Sequence, residues 1–152
     1  ISQPYIVAMM LAAAQLSLRD HVLEVGAGSG YAAALMAHLA RSVVAVERHA
    51  ELAALARGRT HRLGLVNVSI VHGDGTQGYP PAAPYDVILC AAAGPVVPPA
   101  WFEQLVPGGR TIMPVGEFNG AQRLVRITVH PDGRLHEDML EPVRFVPLLP
   151  GC

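Results

Sequence analysis

The 152-residue chain predicts a doubly wound α/β fold: a mostly parallel, seven-stranded sheet with helices on both faces and antiparallel strands at the C-terminal end. Three observations predict it. Short apolar runs alternate with longer helix-like segments through the first two thirds, the rhythm of parallel strands joined by helical crossovers. One of those runs passes straight into GAGSG (26–30) and then into a helix-like segment. The last third changes to polar–apolar alternation around a PDG turn, the pattern of an antiparallel edge.

The elements follow in order. Residues 4–16 read as a helix, with Pro4 acceptable in its first turn. HVLEV (21–25) is a short buried strand, YAAALMAHLA (31–40) a helix, and VVAVE (43–47) a second strand. Residues 50–64 form a helix stopped by Gly64. VSIVH (68–72) is the third strand and YDVILC (85–90) the fourth. PAWFEQL (99–105) reads as a short helix ended by VPGG, and RTIMPVG (110–116) as the fifth strand. RLVRITVH (123–130) and VRFVPL (143–148) complete the set of seven. The length fits one domain, residues 1–152.

Composition removes several classes of function. The longest apolar stretch, residues 87–102, is broken by Gly94, Pro95, Pro98 and Pro99. A membrane-spanning helix needs about 20 uninterrupted apolar residues, and nothing resembles a signal peptide. The reading is therefore a soluble, cytoplasmic protein with no membrane partner. A net charge of −1, with no basic block, argues against nucleic-acid binding. Cys90 lies inside a predicted buried strand and Cys152 is the last residue, so neither suggests a disulfide framework. No His, Cys or acidic residues stand at metal-ligand spacing.

The chemistry concentrates in VLEVGAGSG. Gly26, Gly28 and Gly30 allow the backbone a sharp turn and close approach to a ligand, and the helix that follows begins with unpaired N–H groups. Glu47 closes the next strand about 20 residues on, where an acid can accept both hydroxyls of a ribose. The third strand ends in HGDG, placing Asp74 and Gly75 at the same carboxyl edge of the sheet, where Asp74 can accept from an adenine amino group. Glu24 adds a carboxylate two residues before the first glycine. The register Gly28, Gly30, Ala33 satisfies the dinucleotide pattern G-x-G-x-x-G/A, so the loop alone leaves a nicotinamide cofactor open. Three nearby acids repel a pyrophosphate and favour a cationic ligand such as S-adenosylmethionine, a sulfonium that also bears an ammonium group.

At this point the residues match a family. ISQP (1–4), VLEVGAGSGYAAALMAHLA (22–40), VVAVER (43–48), NVSIVHGDGTQGYPPAAPYDVILCAAA (67–93), LVPGGRTIMPVGE (105–117) and PVRFVPL (142–148) stand in family order over nearly the whole chain. The chain resembles the protein-L-isoaspartate (D-aspartate) O-methyltransferases. The resemblance implies a Rossmann-like class I methyltransferase fold and S-adenosylmethionine as cofactor. It implies isoaspartyl-containing proteins or peptides as partners, whose damaged residues are methylated on the α-carboxyl as the first step of repair. It implies Ser2 as the catalytic residue, with Ile1 and Ser2 also touching the cofactor. Gly26, Gly28 and Gly30 would line the methionine end near Glu24, Glu47 would hold the ribose, and Asp74 and Gly75 would bind the adenine side.

The departures are also informative. The family ordinarily carries some tens of residues before ISQP, and their absence is expected to leave an exposed apolar patch beside the first helix. Some members carry a His five residues after the Ser, where this chain has Val7. Without the resemblance, Ser2 reads simply as a helix N-cap. Trp101 reads as a core or interface anchor, and AAAG (91–94) as small residues leaving room at the ligand edge. Other functions fit parts of the chain: an O-methyltransferase acting on aspartate of one specific peptide, a cofactor-binding domain without turnover, or a nicotinamide dehydrogenase.

Overall fold

The computed structural model describes residues 2–152. Its element order is α1 (Pro4–Ala14), β1 (His21–Val25), α2 (Tyr31–Ala37), β2 (Ser42–Glu47), α3 (Ala50–Arg62), β3 (Val68–His72), β4 (Tyr85–Cys90), α4 (Pro99–Phe102), β5 (Leu105–Gly116), β6 (Gln122–Val129) and β7 (Leu135–Val143). Single 3-10 turns at Gly75–Gln77 and Pro80–Ala82 precede β4. The strands order as β3-β2-β1-β4-β5-β6-β7. The first five are parallel to one another, and β6 and β7 are antiparallel additions.

Strand order reverses between β1 and β4, because the chain moves outward through β2 and β3 and then returns to the other side of β1. At such a reversal the crossovers leave toward opposite faces and open a crevice beyond the strand ends. One face of the sheet packs Met10 and Ala14 of α1, Ala33 and Met36 of α2, and Ala53 and Ala56 of α3 against Val22, Ala45, Val87 and Leu89. The alanines keep these helices close to the sheet. The other face carries Trp101 of α4, Val97 and Tyr79 over Leu23, Val25, Val46 and Ile88. The central strands are buried on both faces, which is why they read as continuous apolar runs.

The C-terminal end of α1 is held by two strand arginines. Arg110 donates to the carbonyls of Ala14 (2.7 Å) and Gln15 (2.8 Å) and pairs with Asp20 at 2.9 Å. Arg126 donates to the carbonyl of Ala13 (3.1 Å). Cations at a helix C-terminus satisfy its last carbonyls and oppose the negative end of the dipole, so α1 is fixed to β5 and β6. The side of α1 away from the sheet stays exposed at Pro4, Tyr5, Ala8 and Ala12.

Several boundaries differ from the sequence reading. The stretch 99–105 is helical only to Phe102, because Leu105 already pairs with Tyr85 and β5 passes through Pro107–Gly109 by a register shift. Helices α1 and α2 also end two and three residues early, at Ala14 and Ala37. The seventh strand is Leu135–Val143, an exposed acidic edge strand, not residues 143–148. VRFVPL instead leaves the sheet and crosses the carboxyl edge, where Pro147 bridges Ala93. Among the described residues no helix is long and apolar enough to cross a membrane.

Candidate active site

The crevice at the strand reversal holds a cavity of about 590 Å³. One wall is the glycine loop after β1. Gly26 and Gly28 take φ of +88° and +52°, conformations that Cβ-bearing residues rarely adopt. The N–H groups of Gly26 and Ala27 donate to the carbonyl of Val46 at 2.8 and 3.1 Å, tying the loop to β2. Glu47, buried at the end of β2, completes the tie: Oε2 accepts from the Gly28 N–H at 2.8 Å and Oε1 from the His49 N–H at 3.0 Å. Each carboxylate oxygen keeps a second lone pair for a ligand hydroxyl.

Glu24 closes the floor. It is 1% exposed, its Oε2 has no hydrogen-bond partner, and burial, with the nearby Glu47 carboxylate, pushes its pKa up to about 8. A buried polar atom left unpaired costs about 1–3 kcal/mol, so a donor arriving from the cavity gains a prepared partner. Cys90 is buried beside it in β4, donates to the carbonyl of Ala92, and is pushed up to about 12, mainly by burial, which makes it inert packing.

Of the residues expected at the site, Ser2, Glu24, Gly26, Gly28, Glu47 and Gly75 line this one cavity. Ile1 lies outside the described residues. Gly30 is not part of the wall. It caps α2 at φ +86°, and a Cβ there would stand 3.3 Å from Cβ of Ala56, so this glycine serves the packing of α2 on α3. Asp74 stands just outside the lining. Its Oδ1 accepts from Thr76 N–H (2.9 Å) and Thr76 Oγ1 (2.7 Å), and its Oδ2 from Gly151 N–H (2.9 Å). Partial burial raises its pKa, but the bonds from Gly151 and Thr76, with the Arg48 charge, outweigh that and hold the carboxyl below its ordinary value.

Ser2 is not a helix cap. The N-cap of α1 is Gln3, which makes no side-chain capping bond, and Ser2 lines the cavity instead. Trp101 is fully buried, and its Nε1–H donates to the carbonyl of Gly75 at 3.0 Å, so it anchors the loop after β3 from the far face. That loop tolerates little. A Cβ on Gly75 would fall 2.4 Å from Cγ1 of Val25. Gly75→Ala is expected to destabilise by about 1–3 kcal/mol and to lower the melting temperature by several degrees in scanning calorimetry. An unchanged melting temperature would mean that the loop shifts freely.

The opposite wall was not visible from the sequence. Arg144, Phe145, Pro147 and Leu148 line the cavity, although this stretch read as a strand. Its backbone is fixed by Ala93 N–H to Val146 O (2.8 Å) and Leu148 N–H to Ala93 O (2.7 Å). Arg48 then clasps the segment, donating to the carbonyls of Gly151 (3.2 Å) and Pro150 (3.4 Å). The one available signal was Pro147 inside the apolar run, since proline is poorly placed within a paired strand.

Comparison with known proteins agrees with this geometry. The family model of protein-L-isoaspartate(D-aspartate) O-methyltransferase matches residues 1–151. A protein-L-isoaspartate O-methyltransferase of Koribacter versatilis is 52% identical over 149 residues, 98% of this chain and 66% of the relative. A solved protein-L-isoaspartate O-methyltransferase superposes with a TM-score of 0.89 at 34% identity, covering 97% of this chain and 47% of that one. A candidate protein-L-isoaspartate O-methyltransferase of Plasmodium falciparum, solved with S-adenosyl-L-homocysteine, gives 0.81 at 26% identity, covering 98% and 75%. The chain thus spans just under two thirds of the Koribacter relative and about half of the first solved structure. A family match over residues 1–151, on a sheet whose glycine loop and acids converge on one cavity, shows that the chain belongs to the protein-L-isoaspartate(D-aspartate) O-methyltransferase family.

Proposed function

We propose that residues 1–152 form one S-adenosylmethionine-dependent domain that methylates the carboxylate of L-isoaspartyl or D-aspartyl residues in damaged proteins, the first step of their repair. The observation that carries the reading is the single cavity in which Ser2 faces the glycine loop together with Glu24 and Glu47. We place the protein in the cytoplasm, where the two free cysteines would stay reduced.

The residues fit the cofactor. The unpartnered Glu24 Oε2 suits a cationic group, and Glu47 suits a ribose. A pyrophosphate would meet the Glu47 carboxylate, and Arg48, the nearest cation after β2, is engaged with the carbonyls of Pro150 and Gly151. Glu24, Gly26 and Gly28 would hold the methionine end, Glu47 the ribose, and Gly75 with Asp74 the adenine side. When bound, S-adenosylmethionine supplies a methyl group on a positively charged sulfur.

The protein's own task is modest in chemistry and strict in geometry. An aspartyl-type carboxyl, with a pKa near ~3.9, is ionised at neutral pH, so no general base is required. An anion and a cation neutralise one another as the methyl moves, so a site that excludes water favours the reaction. Val7, Met10, Leu11, Leu89 and Phe145 supply that apolar lining. The Ser2 hydroxyl donates to one carboxylate oxygen and leaves the other free to attack.

Ser2→Ala is expected to leave S-adenosylhomocysteine affinity, measured by calorimetry, within about twofold. It is expected to lower methyl transfer to an isoaspartyl peptide roughly tenfold to a hundredfold, the loss usual for one positioned donor. Unchanged turnover would remove Ser2 from the mechanism.

A further inference from the structure

The cavity is electrically lopsided. Glu24 and Glu47 sit at its glycine-loop end. At the other end it adjoins a smaller cavity lined by Ser2, Gln3, Ile6, Val143, Arg144 and Phe145, with no acid in its wall. Ser2, Arg144 and Phe145 are common to both cavities. They therefore mark the junction between the space prepared for a cationic cofactor and the space left for whatever meets it.

Arg144 is the charged member of that junction. The arginines that line these cavities are Arg48 and Arg144, and Arg48 is engaged by the Pro150 and Gly151 carbonyls. Among the described residues Arg144 belongs to no ion pair. Its backbone is nevertheless well placed. It follows directly on β7, and the next residue, Phe145, is clamped by Gln122, whose Oε1 accepts the Phe145 N–H at 2.8 Å while its Nε2 donates to the Phe145 carbonyl. Gln122 is itself buried at the start of β6. A guanidinium on so fixed a base, beside a serine hydroxyl and without a protein anion, is arranged for an anion that comes from outside.

We propose that Arg144 receives the free carboxylate of the acceptor, resting on the acceptor class proposed above, and that it makes the site select the free acid over its neutral derivatives. A guanidinium matches a carboxylate with two parallel N–H···O bonds. Together with the Ser2 hydroxyl it holds the group at the junction. Once the carboxyl has become an ester the ion pair is gone, so the same contact that draws substrate in releases product. Arg144 is a substrate-binding residue in this account, and the cofactor's own carboxylate is not its partner.

The test uses two peptides that differ only at the isoaspartyl side, one with its α-carboxyl free and one with a carboxamide there. Binding to the protein loaded with S-adenosylhomocysteine is read by calorimetry. The unaltered protein is expected to prefer the acid by about two- to fivefold, the effect of one charge-assisted contact at an exposed site. Arg144→Met is expected to abolish that preference by weakening the acid peptide alone, and Arg144→Lys to keep part of it. S-adenosylhomocysteine affinity should stay within about twofold in both variants, which also shows that they fold. Arg144→Met that still prefers the acid would overturn the inference, and so would Arg144→Met that loses S-adenosylhomocysteine instead, since the guanidinium would then serve the cofactor. Failure of the unaltered protein to bind the acid peptide would instead defeat the proposed acceptor, and this inference with it.

Discussion

Glu47→Ala is expected to weaken S-adenosylhomocysteine binding by about a hundredfold or more and to lower the stability of the ligand-free protein. The Glu47 carboxylate has two duties. It accepts the Gly28 and His49 N–H groups at 2.8 and 3.0 Å, and so shapes the glycine loop from the neighbouring strand. Its remaining lone pairs face the cavity, where a ribose would bind. Removing it leaves two backbone donors without their partner, at about 1–3 kcal/mol for each one that stays buried. It also removes two ligand hydrogen bonds to a charged group, each worth about 1.5–3 kcal/mol, or roughly tenfold to a hundredfold in affinity apiece. Glu47→Gln separates the duties poorly, because its amide nitrogen would face a backbone N–H, and it should fall close to the Ala variant. Titration calorimetry and thermal melting read both effects. Affinity within about threefold of the unaltered protein would show that the acid is merely structural.

Glu24→Gln is expected to remove a pH dependence that the unaltered protein carries. Burial, and then the charge of Glu47, raise the Glu24 pKa from 4.5 to about 8. Groups nearby include Glu47 from β2 and the Cys90 thiol from β4, and Arg48, His49 and Arg144 also line the cavity. The sign follows from the shift. Between 4.5 and about 8 the folded protein holds a proton that the unfolded chain has released. This contribution to stability is therefore complete below 4.5 and is lost as pH rises toward 8, at a limiting slope of about 1.4 kcal/mol per pH unit. The melting temperature of the ligand-free protein should fall from pH 5 to pH 8, and Glu24→Gln should flatten the fall.

Ligand binding should run the other way. The ammonium group of the ligand prefers the ionised carboxylate and so expels the proton. S-adenosylhomocysteine affinity should rise with pH toward 8, by at most about tenfold per unit, and Glu24→Gln should bind more weakly at pH 8 with little pH dependence. Identical pH profiles for the two proteins would contradict the role given to Glu24.

The order of the elements was legible in the sequence, and the reason is local. β1, β2 and β3 are short apolar runs closed by a glycine or a strand-end acid, β4 is one followed by small residues, and nothing distant is needed to place them. From the sequence β5 reads as beginning at Arg110, because Pro107, Gly108 and Gly109 look like breakers, yet the strand absorbs them through a register shift against Tyr85 and Val87. β7 is hidden for the opposite reason. Leu135–Val143 is an exposed edge, rich in charge and ending near Pro142, with almost no buried face to give it a pattern. FVPL is apolar because it covers a cavity, and apolarity alone does not separate a cover from a strand.

The site divides along the same line. Glu24, Gly26, Gly28, Glu47 and Gly75 come together in one cavity because each stands at or just beyond the carboxyl end of a strand, and the fold gathers those ends at one edge. Arg48 and the segment around Pro147 are not legible there because they reach the site through contacts across the chain, such as Arg48 with Gly151. Gly30 lay in the glycine motif and serves the packing of α2 on α3 instead.

The most direct test of the central claim is transfer of a labelled methyl group from S-adenosylmethionine to two versions of one peptide, one with isoaspartate and one with aspartate at the same position. Incorporation into the isoaspartyl peptide alone, as a base-labile ester, is the predicted result. A protein that binds S-adenosylhomocysteine but methylates neither peptide, or methylates the aspartyl one, would contradict it.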